Sequence, residues 1–254
     1  MDQAENTAPK RTTLQMARSM CWHCQSEVHG EYFCGQCVKV QPLSKELDYF
    51  TCLGLPRILT IDQEDLEARF YRLSRTFHPD FFQNKAEGEQ TISLGNSALL
   101  NTAYRTLKDP IRRAEYLLRL EAGSAKDIRT SPPADLFEEI LALQEDIEEF
   151  KSTAAEQDSA RTEALRARLK ADRDNLEQRQ REMETRLSEL FTVWDKLQGQ
   201  SQQPDQSKAE KDKTLAEIRS ILSNRTYLIN ILDDLSSTVG NPGNAEDHGA
   251  HRRH

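Results

Sequence analysis

One proline constrains the fold of this chain most, because it ends a helix beside two ionisable side chains. Pro79 cannot continue a helix and biases the residue before it away from α geometry, so a helix over 65–77 must stop at or just before His78. The loop then presents the His78 imidazole and the Asp80 carboxylate together. Taken alone, this tripeptide could equally well form a simple turn at the C-terminal end of a helix. The apolar residues of the helix recur at helical spacing on one face: Leu66, Phe70, Leu73 and Phe77.

The segments around the loop also have helical patterns. Thr60 is the expected N-cap of the first helix, with acidic residues in its first turn and arginines in its last, as the helix dipole favours. A second helix ends at Asp109-Pro110, and a short helix over 111–120 follows it. The face of the second helix consists of Leu99, Ala103, Tyr104 and Leu107.

Helix, His-Pro-Asp loop and helix is the layout of a J domain, and this stretch resembles one. The closer resemblance, over residues 21–235, is to the HscB-type co-chaperones of iron–sulfur cluster assembly. Phe81 also matches HscB relatives, since general J proteins often carry lysine there. The residues that carry the resemblance are Asp48-Tyr49-Phe50, Leu53-Gly54-Leu55, Phe77-His78-Pro79-Asp80-Phe81-Phe82, Asn101-Thr102-Ala103-Tyr104, Leu107 and Arg113-Ala114-Glu115-Tyr116-Leu117-Leu118.

The resemblance implies a co-chaperone and not an enzyme. The J domain would dock on a DnaK/HscA-class ATPase chaperone and stimulate it through His78-Pro79-Asp80. The basic side of the first helix would steer it to an acidic groove, through Arg69, Arg72 and Arg75. The C-terminal helices would hold the IscU-type scaffold protein. HscB proteins bind the scaffold with apolar residues at the start of the first bundle helix and an aromatic residue in the last, which correspond here to Leu136, Phe137, Ile140 and Tyr227.

Four of the five cysteines form two Cys-x-x-Cys pairs, Cys21/Cys24 and Cys34/Cys37. Two such knuckles supply four thiolates to a tetrahedral ion, and zinc usually takes this shell in structural sites, so we expect one zinc per chain. Gly35 is expected to ease the second turn. Two disulfides would need an oxidising compartment, and a redox pair or an iron–sulfur centre is a further alternative. Some HscB relatives, notably eukaryotic ones, carry similar knuckles before the J domain.

The C-terminal half has the pattern of a helical bundle. No glycine or proline occurs over 134–198, yet one helix of that length would span about 95 Å, so a break near 152–159 is expected, with Asp158 or Ser159 as N-cap. A loop over 199–207 precedes the last helix. The charged stretch 161–186 is expected to be a solvated face of an extended hairpin, or an added docking surface. The apolar seams are Leu136, Ile140, Leu143, Ile147 and Phe150; Leu165, Leu169, Leu176, Met183, Leu187, Leu190, Trp194 and Leu197; and Leu215, Ile218, Leu222, Ile229 and Leu232.

The predicted fold is therefore all-α. It comprises a J domain and a C-terminal antiparallel three-helix bundle, preceded by a small zinc-knuckle module. Cys52, among apolar neighbours, is expected to be buried. The expected boundaries are a disordered N terminus over 1–19, the zinc-binding module over 20–42, the J domain over 46–121, a linker over 122–133, the scaffold-binding bundle over 134–237 and a disordered tail over 238–254.

Composition excludes several other classes of protein. The 254-residue chain has 37% hydrophobic and 30% charged residues, which favours helices, and its net charge of −8 argues against nucleic-acid binding. No apolar run reaches the roughly 20 residues that span a membrane, and no signal peptide is visible. We expect a monomer or weak dimer in the bacterial cytoplasm rather than the mitochondrial matrix. The alternatives are a general J-type co-chaperone, which would carry a Gly/Phe-rich linker and β-rich client domains, and a zinc-ribbon adaptor, which would be basic around its knuckles.

Overall fold

A computed structural model of the chain is helical apart from a small sheet near the N terminus. It describes residues 19–28, 30–44, 46–121, 137–156, 159–199 and 204–239. The predicted linker over 122–133, Leu136 and Asp158 lie outside the described residues. The chain divides into two compact units, Met1–Leu120 and Glu121–His254. None of the described helices is apolar enough over a sufficient length to cross a membrane.

The first unit begins with the four-cysteine module, by which we mean residues 19–43. Strand β1 (Ser19–Met20) pairs antiparallel with strand β2 (Glu27–Val28), and Met20 lies opposite Glu27. A single antiparallel bridge joins Phe33 to Val40 farther along. The two Cys-x-x-Cys segments therefore lie in two successive short hairpins.

The described part of the first unit continues with the α-helices α1 (Tyr49–Cys52), α2 (Gln63–Phe77), α3 (Glu87–Lys108) and α4 (Pro110–Glu121). The predicted N-cap Thr60 is wrong, because the Asp62 side chain accepts hydrogen bonds from the backbone N–H groups of Glu64 and Asp65. A carboxylate is a strong cap, and it starts the helix two residues later than Thr60 would.

Helices α2 and α3 pack against each other as an antiparallel pair with an apolar seam. The ring of Phe70 stacks on that of Tyr104, with centroids 4.3 Å apart. Leu100 is buried where Leu99 was predicted. Two polar residues on the buried face of α3 hide the helical period of that face in the sequence. The face consists of Ser93, Asn96, Leu100, Ala103 and Leu107. Cys52 is buried as expected, and burial raises the pKa of its thiol to about 12.

The second unit contains α5 (Phe137–Glu156), α6 (Ser159–Gly199) and α7 (Pro204–Val239). Arg168 of α6 pairs with Asp146 of α5, and Arg186 pairs with Glu217 of α7 at 2.7 Å. A core cluster joins all three helices. It consists of Ile140, Leu143, Ile147, Phe150, Leu165, Leu169, Leu176, Leu228, Leu232 and Leu235.

Three details of the predicted bundle are wrong. Helix α7 already begins at Pro204, within the predicted loop over 199–207, since proline suits the first turn of a helix. Leu228 is fully buried where Ile229 was predicted, because a straight helix drifts from a strict heptad repeat. The same helix extends to Val239, two residues into the predicted disordered tail.

Candidate functional site: an exposed His-Pro-Asp loop and a four-cysteine centre

The His78-Pro79-Asp80 loop forms at the C-terminal end of α2. His78 has extended backbone geometry and ends the helix, and a 3₁₀-helix, Pro79–Phe82, begins immediately after it. The Asp80 backbone N–H donates to His78 Nδ1 at 3.3 Å, and an Asp80 carboxylate oxygen lies 3.5 Å from the same nitrogen. Half of the His78 side chain is exposed, and Phe81 beside it is exposed too. The loop thus presents an imidazole, a carboxylate and an aromatic ring to solvent.

Helix α3 holds this loop from behind. The hydroxyls of Ser93 and Ser97 donate to the Phe77 carbonyl at 2.7 and 2.9 Å, so the last residue of α2 is fixed just before His78. The Gln90 amide donates to the carbonyls of Gln83 and Lys85, on the other side of the loop. Ser93, Ser97 and Gln90 were not predicted as anchors from the sequence. Their signal was the polar side chains at helical spacing on the inner face of α3.

The three predicted chaperone-binding arginines of α2 have different surroundings. Arg69 is bound within the protein, since its guanidinium donates to Asp65 at 2.8 Å and to the Gly54 carbonyl at 2.7 Å. Arg72 and Arg75 are exposed, and neither guanidinium has a partner among the described residues. On α2, the exposed basic side chains beside the loop are therefore Arg72 and Arg75, whereas Arg69 ties the turn after α1 to α2.

The four cysteine sulfurs of the module converge. All four lie within 4.8 Å of one another, and the Cys21–Cys37 and Cys24–Cys34 sulfur pairs are each 3.6 Å apart. Zinc–sulfur bonds of about 2.3 Å in a tetrahedron place sulfurs about 3.8 Å apart, whereas a disulfide needs about 2.0 Å. All four cysteines are free. The donor set therefore fits a tetrahedral metal ion and does not fit two disulfides.

The two knuckles have the same backbone pattern. In each, the backbone carbonyl of the first cysteine accepts a hydrogen bond from the N–H four residues later. Cys21 accepts from Gln25 at 3.0 Å, and Cys34 accepts from Val38 at 2.9 Å. Gln25 and Val38 are the left-handed residues, with φ of 60° and 57°. The prediction that Gly35 eases the second turn is therefore wrong, because the turn needs a positive φ after the second cysteine and Gly35 does not supply it.

The environment of each sulfur sets its proton affinity. The Ser26 hydroxyl lies 3.1 Å from the Cys34 sulfur and, with nearby backbone N–H groups, lowers the pKa of that thiol to about 6. Burial raises the pKa of Cys37 to about 12. Cys34 is thus a thiolate at neutral pH, while Cys37 would release its proton when a cation binds.

Known proteins that resemble this chain include J-domain co-chaperones. The family model of the DnaJ domain matches residues 48–116, which contain α1, α2, the loop, α3 and the part of α4 up to Tyr116. The iron–sulfur cluster co-chaperone protein HscB of Mus musculus is 33% identical over 148 residues, 56% of this chain and 63% of that protein. The co-chaperone protein HscB of Proteus mirabilis is 38% identical over 112 residues, 43% of this chain and 65% of its own. The chain contains a J domain and is similar over about half of its length to HscB co-chaperones.

A solved HscB structure supports the same assignment. The crystal structure of human co-chaperone protein HscB has a TM-score of 0.54 and 26% identity, and the match covers 86% of this chain and 98% of that one. The predicted fold class, a J domain followed by C-terminal helices, is confirmed. The sequence matches, however, span less than two thirds of the length of the curated HscB relatives.

The face predicted to bind the scaffold of HscB proteins is partly described. Phe137 begins α5, and Leu136 precedes the described residues. Ile140 is only 3% exposed and belongs to the bundle core, and Tyr227 of α7 packs against the same core while half-buried. Leu141, one position after Ile140, is 50% exposed. The structure therefore places Ile140 in the core cluster with Tyr227 packed against it, and leaves Leu141 exposed to solvent.

Proposed function

We propose that this protein is a co-chaperone that stimulates the ATPase of a DnaK/HscA-class chaperone and delivers an IscU-type iron–sulfur scaffold protein to it. One observation carries the first half: His78 is exposed in a loop that α3 fixes, beside Arg72 and Arg75, whose guanidiniums have no partner among the residues that the structure describes. Because the relatives are named co-chaperones, we infer that the loop acts on another protein's reaction. The HscB names of the relatives support the second half.

Electrostatic attraction would bring the two proteins together. Arg72 and Arg75 lie one turn apart on the exposed side of α2, and Arg75 is in the turn just before His78. Charges on a surface speed the approach of an oppositely charged partner, and salt screens them. We infer an acidic docking surface on the chaperone. Arg69 would contribute indirectly, by holding α2 against the turn at Gly54.

Reversing Arg72 should slow docking without affecting folding. We expect Arg72→Glu to lower the association rate with the chaperone by on the order of tenfold at low salt, and by less as salt rises. Surface plasmon resonance at several ionic strengths measures this. Arg119→Glu, an exposed reversal on α4, is the matched control and should have a smaller effect. Equal effects of both reversals, or no dependence on salt, would contradict the steering role of α2.

The four-cysteine centre is proposed to hold one structural zinc ion. The chemistry of the donors supports this choice, because four thiolates in a closed shell suit zinc and leave no position for a substrate. Cys21, Cys24, Cys34 and Cys37 would be the ligands. Bound zinc would stabilise the two hairpins, which have little apolar core of their own.

The scaffold would bind at the junction of α5 and α7. Leu141 is an exposed apolar side chain of α5, and the half-buried Tyr227 of α7 packs against the core cluster that contains Ile140. We propose that Leu136, Phe137 and Tyr227 contact the scaffold together with Leu141, and that Ile140 supports them from within. Apolar side chains at a protein surface beside an aromatic residue are a common form of binding hot spot.

Removing this face should weaken scaffold binding while J-domain activity persists. We expect Phe137→Ala combined with Tyr227→Ala to weaken binding to an IscU-type protein by about 2 kcal/mol or more, as loss of aromatic anchors does. Isothermal calorimetry measures the affinity, and thermal melts follow the bundle. Leu94→Ala, at an exposed leucine of α3, is a control that should leave binding unchanged. Unchanged binding in the double variant would reject this face, as would a collapsed melt.

The proposed function is tested with three purified proteins. The full chain should stimulate ATP hydrolysis by a DnaK/HscA-class chaperone, and an IscU-type scaffold should be captured by it and raise that rate further. Stimulation without scaffold binding would favour a general J-type co-chaperone, and absence of both would favour a zinc-ribbon adaptor. We propose a monomer or weak dimer in the bacterial cytoplasm; the HscB relatives come from bacteria, plants and mammals.

A further inference from the structure

The four-cysteine module packs against helix α3 of the J domain. The Trp22 indole lies over Gly88, where an added Cβ would be 2.8 Å from the ring. Lys39 forms an ion pair with the buried Glu89. Asn96, which is 3% exposed, accepts from the Leu43 N–H and donates to the Gln41 carbonyl, both at 2.9 Å. If the module left α3, the buried side chains of Asn96 and Glu89 would lose these partners. Because a buried polar group without a partner costs free energy, both residues favour the state in which the module is docked on α3.

Gln41 connects the metal site to this seat. Its side-chain Nε2 lies 3.4 Å from the Cys21 sulfur and donates to the Lys39 carbonyl at 2.8 Å. Its backbone carbonyl accepts from Asn96, and its backbone N–H donates to the Tyr32 carbonyl at 2.8 Å. One buried residue therefore contacts a metal-ligating sulfur, the J-domain helix and Tyr32.

Tyr32 continues the contacts to the loop. Its ring packs edge-on against the ring of Phe77, with centroids 5.2 Å apart and an angle of 81°. Phe77 is fully buried, its carbonyl is held by Ser93 and Ser97, and the next residue is His78. An aromatic residue of the module thus packs directly against the residue that precedes the functional loop.

We propose that the four-cysteine module positions the His78-Pro79-Asp80 loop, and that Gln41 links the metal site to Asn96 and Tyr32. With zinc bound, the sulfur–amide contact and the seat on α3 keep Tyr32 against Phe77. When the metal is lost, Gln41 loses its fixed acceptor, the module leaves α3, and the end of α2 gains freedom. Gln41, Tyr32 and Asn96 are positioning residues, and this role rests on the proposed co-chaperone function of the loop.

Nuclear magnetic resonance of the full chain tests the coupling without any ATPase assay. We expect chelation of Zn²⁺ to shift or broaden the backbone amide signals of residues 80–82 and the His78 imidazole signals, together with those of the module. Zinc-loaded Asn96→Ala should move the same loop signals in the same direction. The matched control Asn101→Ala, at an exposed asparagine of the same helix, should leave them in place.

The two changes should not be additive. If metal and Asn96 act through one seat, Asn96→Ala adds little to the loop shifts once zinc is removed, and each change lowers maximal ATPase stimulation several-fold. Should Asn96→Ala fail to fold, Gln41→Glu replaces it, with the exposed Gln36→Glu as its control.

Two outcomes overturn the proposal. One is loop signals that stay fixed while the module unfolds on chelation, and the other is equal shifts from Asn96→Ala and Asn101→Ala. If the zinc-loaded wild-type chain shows the coupled shifts but stimulates no DnaK/HscA-class ATPase, the positioning stands and the proposed function fails.

Discussion

His78→Gln is expected to reduce ATPase stimulation to the unstimulated rate of the chaperone while the protein stays folded. The imidazole is half exposed, and the hydrogen bond it accepts comes from the Asp80 backbone within its own turn. Substitutions at such surface positions change the free energy of unfolding by no more than about 0.5 kcal/mol. Steady-state ATPase assays measure the loss, and thermal melts followed by circular dichroism measure the stability.

The protein offers its own control for this substitution. His23→Gln removes an imidazole that is exposed in the first knuckle and should leave stimulation unchanged. A His78→Gln protein that stimulates normally would remove the loop from the mechanism. Loss of activity together with a lowered melting temperature would instead show that the imidazole supports the fold.

Zinc removal is the second change with a large expected effect. Structural zinc contributes on the order of 10–16 kcal/mol of apparent binding free energy in small finger peptides, far more than the small apolar core of the module can replace. We expect one zinc per chain by elemental analysis, and unfolding of residues 21–40 on chelation. Helices α5, α6 and α7 have their own core cluster and should remain folded.

Single cysteine variants separate ligands from bystanders. Cys34→Ser should bind no zinc after purification without chelators, whereas Cys52→Ala should keep one per chain, since Cys52 lies buried in the J domain. Cobalt(II) bound in place of zinc should show thiolate charge-transfer bands in Cys52→Ala but not in Cys34→Ser. Metal-free wild-type protein, or full zinc occupancy in Cys34→Ser, would contradict the four-cysteine shell.

Much of the fold could be predicted from one chain because its helices alternate apolar and polar residues with a clear period. Proline and aspartate mark where α2 and α3 end, and the paired cysteine spacing identifies four candidate metal ligands before any geometry is known. These signals are local. Each depends on residues within one or two turns, so tertiary contacts do not change them.

What could not be predicted depends on contacts between distant segments. Asn96 interrupts the apolar period of α3 because its side chain forms hydrogen bonds with Leu43 and Gln41, which lie 53 and 55 positions earlier in the sequence. Arg69 has the spacing of a docking residue, but the Gly54 carbonyl, distant in sequence, engages it. Likewise, the left-handed turns fall on Gln25 and Val38, where no glycine signals them.

Gly88 of the J domain is the position at which α3 accommodates the docked four-cysteine module. A glycine costs a helix up to about 1 kcal/mol relative to alanine, and here the space of its missing side chain is filled by Trp22. A lineage that lost the module would be free to regain that stability with a larger residue at this position. We therefore expect a tryptophan in the first knuckle and a glycine at the start of α3 to occur together where such a module is docked.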